Sequence, residues 1–267
     1  MDSAVRHGYE TAQRMLRRHD PTYYLATRRL PAALRPATYA LYGYVRAADQ
    51  LVDGPRRPAT AQARRAALDA WEAQLAAPTH PLALALADAA ARHRLPLEEL
   101  ATYMRSMRTD CEPPIRIETY DQLATYMDGS AGTVGRIMAA LLGVPPDHHG
   151  DLGRLGVAFQ LANFIRDVRE DQSLDRIYLP AEDRARFGVT DADLAGSSPR
   201  LCALLCHEAE RARALFAAAA PAIAAAPASV RPGVRLAVAL YRRMLDSPRP
   251  TGVRVWHVPG AALETLR

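Results

Sequence analysis

The feature that most constrains this chain is the period of its apolar residues. Nearly everywhere they recur every three to four positions, and almost nowhere do they alternate with polar ones. A 3.6-residue period gives amphipathic helices, so the chain must build its core from helix faces packed on one another. Residues 3 to 18 read as a short amphipathic helix. A second helix is expected from near Pro31 to about Asp53, where GPRRP breaks it. Further helices are expected at roughly 60–77, 81–94, from Pro96 to Asp110, and from Thr119 to about Leu142. A long one should run from about Asp147 to Asp171 or a little beyond, and two more at 199–219 and 230–246. CEPPIRI reads as a loop, and YLPAEDRARFGVT as a loop with at most one turn. No internal repeat and no dividing linker interrupts the 267 residues. The expectation is one all-α domain over 1–267, about ten helices, with an irregular tail over about 247–267.

Composition narrows the classes. Hydrophobic residues make up 49% and charged residues 24%, as in ordinary globular proteins. MDSAVRHGYETAQRMLRRHD has no apolar core of a secretory signal. LFAAAAPAIAAAPASV, residues 215 to 230, is short for a span and broken by prolines, so it reads as a helix end and a loop. The three cysteines, Cys111, Cys202 and Cys206, fit a reducing compartment, and Cys202 and Cys206, four apart, read as buried, inert thiols. A cytoplasmic, monomeric protein is expected. The formal charge is +5, and all 34 basic residues are arginine. Without a compact arginine run and with few aromatics, the chain does not read as a nucleic-acid binder. The charge is compatible with peripheral contact to an anionic membrane surface. No glycine-rich phosphate loop or dinucleotide fingerprint is present, so no NADPH is expected.

Two polar stripes stand out. In LANFIRDVREDQSLDRIYLP, residues 161 to 180, Asp167 and Asp171 are four apart and share a helix face, with Asn163 one turn earlier. Asp175 joins only if the helix extends that far. In the helix ending near 53, Tyr42, Arg46, Asp49 and Asp53 fall within roughly 60° of one face. Unpaired carboxylates at this spacing repel by a few tenths of a kcal/mol. A hard divalent cation would offset that repulsion. Mg²⁺ takes oxygen ligands and is usually held by one or two carboxylates plus substrate phosphates. Two facing aspartate pairs could clamp a diphosphate, with Arg46 and Arg166 taking the remaining charge and Asn163 and Tyr42 donating hydrogen bonds. A solvated helix face tolerates the same spacing, so the pattern by itself leaves both readings open.

The same residues carry a resemblance. TYYLATRRLPAALRPATYALYGYVRAADQLVD resembles the first motif region of the phytoene synthase and squalene synthase family of prenyltransferases. QLANFIRDVREDQSLDRIYLPAEDRARFGV resembles the second, and TYDQLATYMDGSAGTVGRIMAALLG the segment lining the isoprenoid pocket. The likeness runs from about residue 10 to about residue 246. It implies the all-α isoprenoid synthase fold around a central cavity. It implies catalytic Mg²⁺, two or three ions with the substrate diphosphate, held by Asp49, Asp53, Asp167 and Asp171, with Asp175 as a further candidate. Thr22, Tyr42, Arg46, Gln160, Asn163, Arg166 and Tyr241 match diphosphate-contacting positions. Tyr126, Met127, Val134, Met138 and Phe159 are candidates for the prenyl pocket. Gly129, Gly132 and Gly135, three apart, call for a close-approaching chain or a local kink, or else mark a helix break.

The implied activity is ionisation of an allylic diphosphate, farnesyl or geranylgeranyl, and coupling of the prenyl cation to a second allylic diphosphate. The chain departs from the family pattern in four places. Gln50 follows Asp49 where a second acid is common. Asp175 precedes Arg176 where glycine is usual. His19-Asp20-Pro21-Thr22 replaces a serine-bearing run, and GVRVWHVPGAALETLR lacks a basic cluster. These departures keep open transfer to an aromatic acceptor such as an indole or a tryptophan-containing small molecule. A non-catalytic binding or assembly relative is the reading of another class.

Overall fold

The computed structural model describes residues 2–246; the irregular tail expected over about 247–267 lies outside the described residues. Fourteen α-helical segments follow one another: α1 (Ser3–His19), α2 (Pro21–Thr27), α3 (Arg35–Val52), α4 (Ala61–Ala73), α5 (Pro81–His93), α6 (Glu99–Thr109), α7 (Tyr120–Met127), α8 (Thr133–Leu141), α9 (His149–Ser173), α10 (Ala181–Phe187), α11 (Asp191–Leu194), α12 (Pro199–Ala218), α13 (Ala220–Ala225) and α14 (Arg231–Met244). Ten of these have eight residues or more, which matches the expected number of principal helices. The other four, α2, α10, α11 and α13, occupy stretches whose apolar pattern is too short to show a helical period.

Several boundaries moved, each for a physical reason. The helix expected from Pro31 begins at Arg35. An earlier start would bury Pro36 inside the helix, where it removes a hydrogen bond and clashes with the preceding turn; at the second helical position it costs nothing. YLPAEDRARFGVT holds a seven-residue helix, α10. It opens with Glu182 and Asp183 in its first turn and closes on Gly188 in the left-handed region, φ 63°. CEPPIRI is not wholly a loop, because Ile115–Arg116 (β1) pairs in parallel with Arg176–Ile177 (β2). The stretch after Ala218 forms the short helix α13 rather than a loop. Cys111 is buried, but Cys206 is exposed and Cys202 half-buried, so the three thiols do not share a buried environment.

Helix α9 is the axis of the bundle. It buries Leu152, Leu155, Val157, Ala158, Leu161, Phe164, Ile165 and Val168, residues that point to several sides of the helix. Such a helix must be surrounded, and α8, α12, α13 and α14 all pack on it. Between α7 and α8 the chain stays helical but widens into a π-helical turn over Asp128–Gly132. Gly135 lets α8 approach α9 closely, and Gly156 lets α9 approach the π-helical turn. A Cβ at Gly135 would stand 2.4 Å from Leu152 O, and one at Gly156 would stand 2.3 Å from Ala131 O. The glycines thus mark a kink and a close approach rather than a helix break. None of the described helices is long and apolar enough to cross a membrane.

Candidate active site

A cavity of about 250 Å³ opens between α2, α3, α8, α9 and α14. Its walls are apolar: Leu30, Leu41, Val134, Met138, Leu155 and Phe159 line it, with Ala237 on α14. Its polar groups are few, namely Asp20, Tyr42, Gln160, Asn163 and Tyr241, with Tyr23, Thr27, Thr38 and Ser130 beside them. On α3 the lining residues Thr38, Leu41, Tyr42 and Val45 precede Arg46, Asp49 and Asp53. On α9 Leu155, Phe159, Gln160 and Asn163 precede Arg166, Asp167 and Asp171. Each helix therefore passes from an apolar wall to a charged C-terminal part in the same sense.

The two charged parts meet. Asp53, the C-cap of α3, is ion-paired with Arg176 of β2, which follows α9 directly. The Asp171 carboxyl is pushed up to about 8 by burial and then by the negative charges of Asp167 and Asp53. The Asp49 carboxyl is pushed up to about 6, again chiefly by burial, with Arg46 opposing and Asp53 adding. Arg46 donates to Asp49 at 2.7 Å. Arg166 holds Asp167 through two bonds, at 2.6 and 2.5 Å. The stripes on α3 and α9 are thus two walls of one charged region, not separate solvated faces.

The residues present suit Mg²⁺. Among the described residues no three His, Cys, Asp or Glu side chains converge into a self-sufficient metal site. That is the normal condition for Mg²⁺, which draws part of its shell from substrate phosphate and water. Two observations fit a cation with an anionic ligand. Burial and neighbouring carboxylates disfavour the charged forms of Asp49 and Asp171, the nearby arginines do not fully offset this, and a bound cation would. The amide oxygen of Asn163 and Nε of Arg46 are both buried without a hydrogen-bond partner.

The structure sorts the expected site residues. Tyr42, Gln160, Asn163 and Tyr241 line the cavity, as do Val134, Met138 and Phe159. Tyr126 and Met127 do not. Met127 is fully buried, and Tyr126 turns its hydroxyl onto Asp110 while stacking on Tyr178 with ring centroids 5.4 Å apart. Thr22 is buried in the first turn of α2 and is not part of the lining. Asp175 lies beyond the end of α9, at φ 60°, and its carboxylate pairs with Arg116 at 2.6 Å. A helix that stops at Ser173 takes it off the Asp167–Asp171 face.

Two groups were not singled out from the sequence as site residues. Asp20 faces the cavity and accepts from the Tyr241 hydroxyl at 3.2 Å. Its one sequence signal, an aspartate before Pro21, marks a helix N-cap and nothing more. Arg176 is buried and reaches Asp53 across the fold. No local pattern announces such a long-range pair.

The family profile described as squalene/phytoene synthase matches residues 16–260. A phytoene synthase of Arthrospira platensis is 35% identical over 259 residues, covering 89% of this chain and 82% of that protein. A 15-cis-phytoene synthase of Synechococcus elongatus is 33% identical over 264 residues, covering 91% and 84%. Among solved structures, a dehydrosqualene synthase in complex with a ligand superposes with a TM-score of 0.89 at 25% identity, covering 98% of this chain and 96% of the other. A squalene synthase from Alicyclobacillus acidocaldarius gives a TM-score of 0.79 at 26% identity, covering 92% and 94%. With its isoprenoid synthase fold, this chain is a prenyl-transferring enzyme of the squalene/phytoene synthase family.

Proposed function

We propose that this protein joins two allylic prenyl diphosphates head to head, in a Mg²⁺-dependent reaction giving a presqualene- or prephytoene-type product. The observation that carries this reading is the meeting of both aspartate stripes, with Arg46 and Arg166, beside an apolar cavity. The names of the similar proteins, phytoene synthases and a dehydrosqualene synthase, support coupling of this kind over transfer to an aromatic acceptor.

Asp49 and Asp53 on α3 and Asp167 and Asp171 on α9 would hold Mg²⁺. When bound, the metal supplies electrostatic stabilisation of the departing diphosphate. Arg46 and Arg166, each now paired with an aspartate, present planar forks that suit phosphate oxygens. Tyr42, Gln160 and the Asn163 amide, which line the cavity, would hydrogen-bond the same group. The apolar walls keep water from the allylic cation, and the Phe159 ring offers it a π face. The excess of arginine also suits peripheral contact with an anionic membrane surface. Binding to anionic but not zwitterionic vesicles tests that contact.

The experiment for the reaction is incubation of the purified protein with farnesyl or geranylgeranyl diphosphate and Mg²⁺, with and without a tryptophan-containing acceptor. A C30 or C40 product from the diphosphate alone is expected, and its mass identifies the donor. A product formed only with the aromatic acceptor would overturn the head-to-head reading.

A further inference from the structure

Asp20 is the one acidic side chain among the described residues that line the cavity, and neither aspartate stripe includes it. It stands in the turn between α1 and α2, and both its oxygens are held. Tyr23 N–H donates to Oδ1 at 2.8 Å, and the Tyr241 hydroxyl donates to Oδ2 at 3.2 Å. Capping of α2 explains the first bond. It does not explain why a carboxylate stands among apolar walls, where an exposed cap would serve α2 equally well. The Tyr241 residue that supplies the second bond packs its ring on Phe159, with centroids 4.4 Å apart, so Tyr241 links the carboxylate to the proposed cation-facing ring of the same cavity. The charged and titratable groups facing Asp20 are Arg46 and Tyr42 of α3, Arg166 of α9, Tyr241 of α14, and Tyr23 of its own helix. Burial raises its proton affinity, while the backbone bond from Tyr23 and the two arginines lower it.

The coupling proposed above needs a base. The C1–O bond of the donor breaks, and the diphosphate leaves with the electron pair. The double bond of the acceptor supplies the pair for a new C–C bond, which leaves a cation on the joined chain. A C–H bond on the donor C1, two bonds from the cationic carbon, then breaks. Its pair closes the three-membered ring, and the proton must be taken up inside a cavity that excludes water.

The geometry points to the Asp20 carboxylate as the acceptor of that proton, aimed by the Tyr23 N–H and the Tyr241 hydroxyl. The bound proton passes to solvent when product leaves. This role rests on the head-to-head reading.

Asp20→Asn tests it, because asparagine caps a helix as well as aspartate, its amide oxygen still accepts from Tyr23 N–H, and its NH₂ group can donate to the Tyr241 hydroxyl oxygen. With farnesyl diphosphate and Mg²⁺, the variant should still release diphosphate. Its coupled product per diphosphate released should fall at least tenfold, with uncoupled alcohol rising in its place. Binding of an unreactive farnesyl thiodiphosphate should stay within about twofold of wild type, since only the base is lost. Asp20→Ser, another good cap, should behave alike and guards against a folding fault peculiar to asparagine. The wild-type partition should also fall at low pH, where the carboxylate is protonated, and the Asp20→Asn partition should be flat. An unchanged partition in a folded variant would overturn the role of Asp20 alone. So would a loss of analogue binding, which would make Asp20 a binding or structural residue. A wild type that forms no coupled product would overturn the head-to-head reading, and this role with it.

Discussion

Arg176 is ion-paired to Asp53 across 123 residues of sequence. The arginine is 3% exposed, and its second amino group donates to the carbonyl of Asp110 at 2.9 Å. The Asp110 carboxylate in turn accepts from the hydroxyls of Tyr126 and Tyr178. One buried cation therefore ties the end of α3 to the strand that follows α9, and so fixes the spacing between the two aspartate stripes.

Replacing Arg176 with Met should destabilise the protein. It removes the ion-pair partner of Asp53, which then faces Asp171 and Asp49 with only Arg46, already paired with Asp49, to compensate. Breaking a buried pair costs about 3–5 kcal/mol, and because Asp53 is 39% exposed the lower part of that range is expected here. Urea unfolding measures it. Arg176→Lys keeps the charge but loses the fork that serves Asp53 and Asp110 together, so it should fall between. A Met variant as stable as wild type would mean that the pair does not brace the site.

Asp171→Asn should raise stability while destroying activity. The folded protein holds a proton on Asp171 up to about 8, whereas an unfolded carboxylate loses it near 4. Between those values the unfolded chain binds fewer protons, so this group makes stability fall as pH rises through that window. Asparagine removes the penalty, and a gain of about 1–3 kcal/mol at pH 8 is expected, the usual exchange of stability for function. Thermal unfolding from pH 5 to 8 checks the slope. The wild type should gain thermal stability from inorganic diphosphate with Mg²⁺, and the variant should lose that response.

Asp167→Asn should abolish turnover and leave the fold intact. Asp167 is half-buried in the charged region, bound by Arg166, and contributes little to the apolar core. Circular dichroism should be unchanged while diphosphate release drops at least a hundredfold. Near-normal release in this variant would refute the metal assignment.

Much of the site was legible because its chemistry is written in helical spacing. Tyr42, Arg46, Asp49 and Asp53 share a stripe whether or not one knows the tertiary fold, and so do Asn163, Asp167 and Asp171. Long-range choices were not legible. Tyr126 turns to Asp110 rather than into the cavity because a buried carboxylate needs donors, and nothing near either residue in sequence says that they meet. Arg176 and Asp20 stood out only as departures from the family pattern, not as site residues, for the same reason. The short helices α2 and α10 were missed because one or two turns carry too few apolar residues to show a period. Asp175 was misplaced only by where α9 ends, and helix ends depend on local caps more than on pattern.

Gly156→Ala should be costly although alanine favours helix. Its Cβ would lie 2.3 Å from the carbonyl oxygen of Ala131 and 3.0 Å from its carbon, and backbone cannot swing aside like a side chain. Helix α9 and the π-helical turn must separate, at about 1–3 kcal/mol for an overpacked core. Because Gly156 also lines the cavity, the same separation should reshape the prenyl pocket. Product distribution and urea stability should change together. Gly150→Ala, with no atom within 4 Å of the new Cβ, is the control and should be neutral or slightly stabilising.

Glu208 gives a prediction remote from the cavity. It is fully buried on α12; one oxygen accepts from Arg211 at 3.0 Å, and the other has no partner. Burial pushes its carboxyl up to about 7; Arg211 opposes this and neighbouring Asp183 reinforces it. In the unfolded chain the group titrates near its ordinary value of 4.5. Between the two values the folded protein keeps a proton that the unfolded chain releases, so stability falls as pH rises from about 4.5 to about 7. At about 1.4 kcal/mol per unit, the loss over the window is on the order of 3 kcal/mol. Glu208→Gln is neutral throughout and still accepts from Arg211. Its stability should therefore lack this part of the pH slope and exceed that of wild type most clearly at neutral pH. Denaturant melts of the Asp171→Asn and Glu208→Gln variants, alone and combined, would separate the two contributions, which should add because the sites share no partner. A Glu208→Gln variant with the wild-type slope would show that Arg211 alone is enough to keep the buried carboxylate charged.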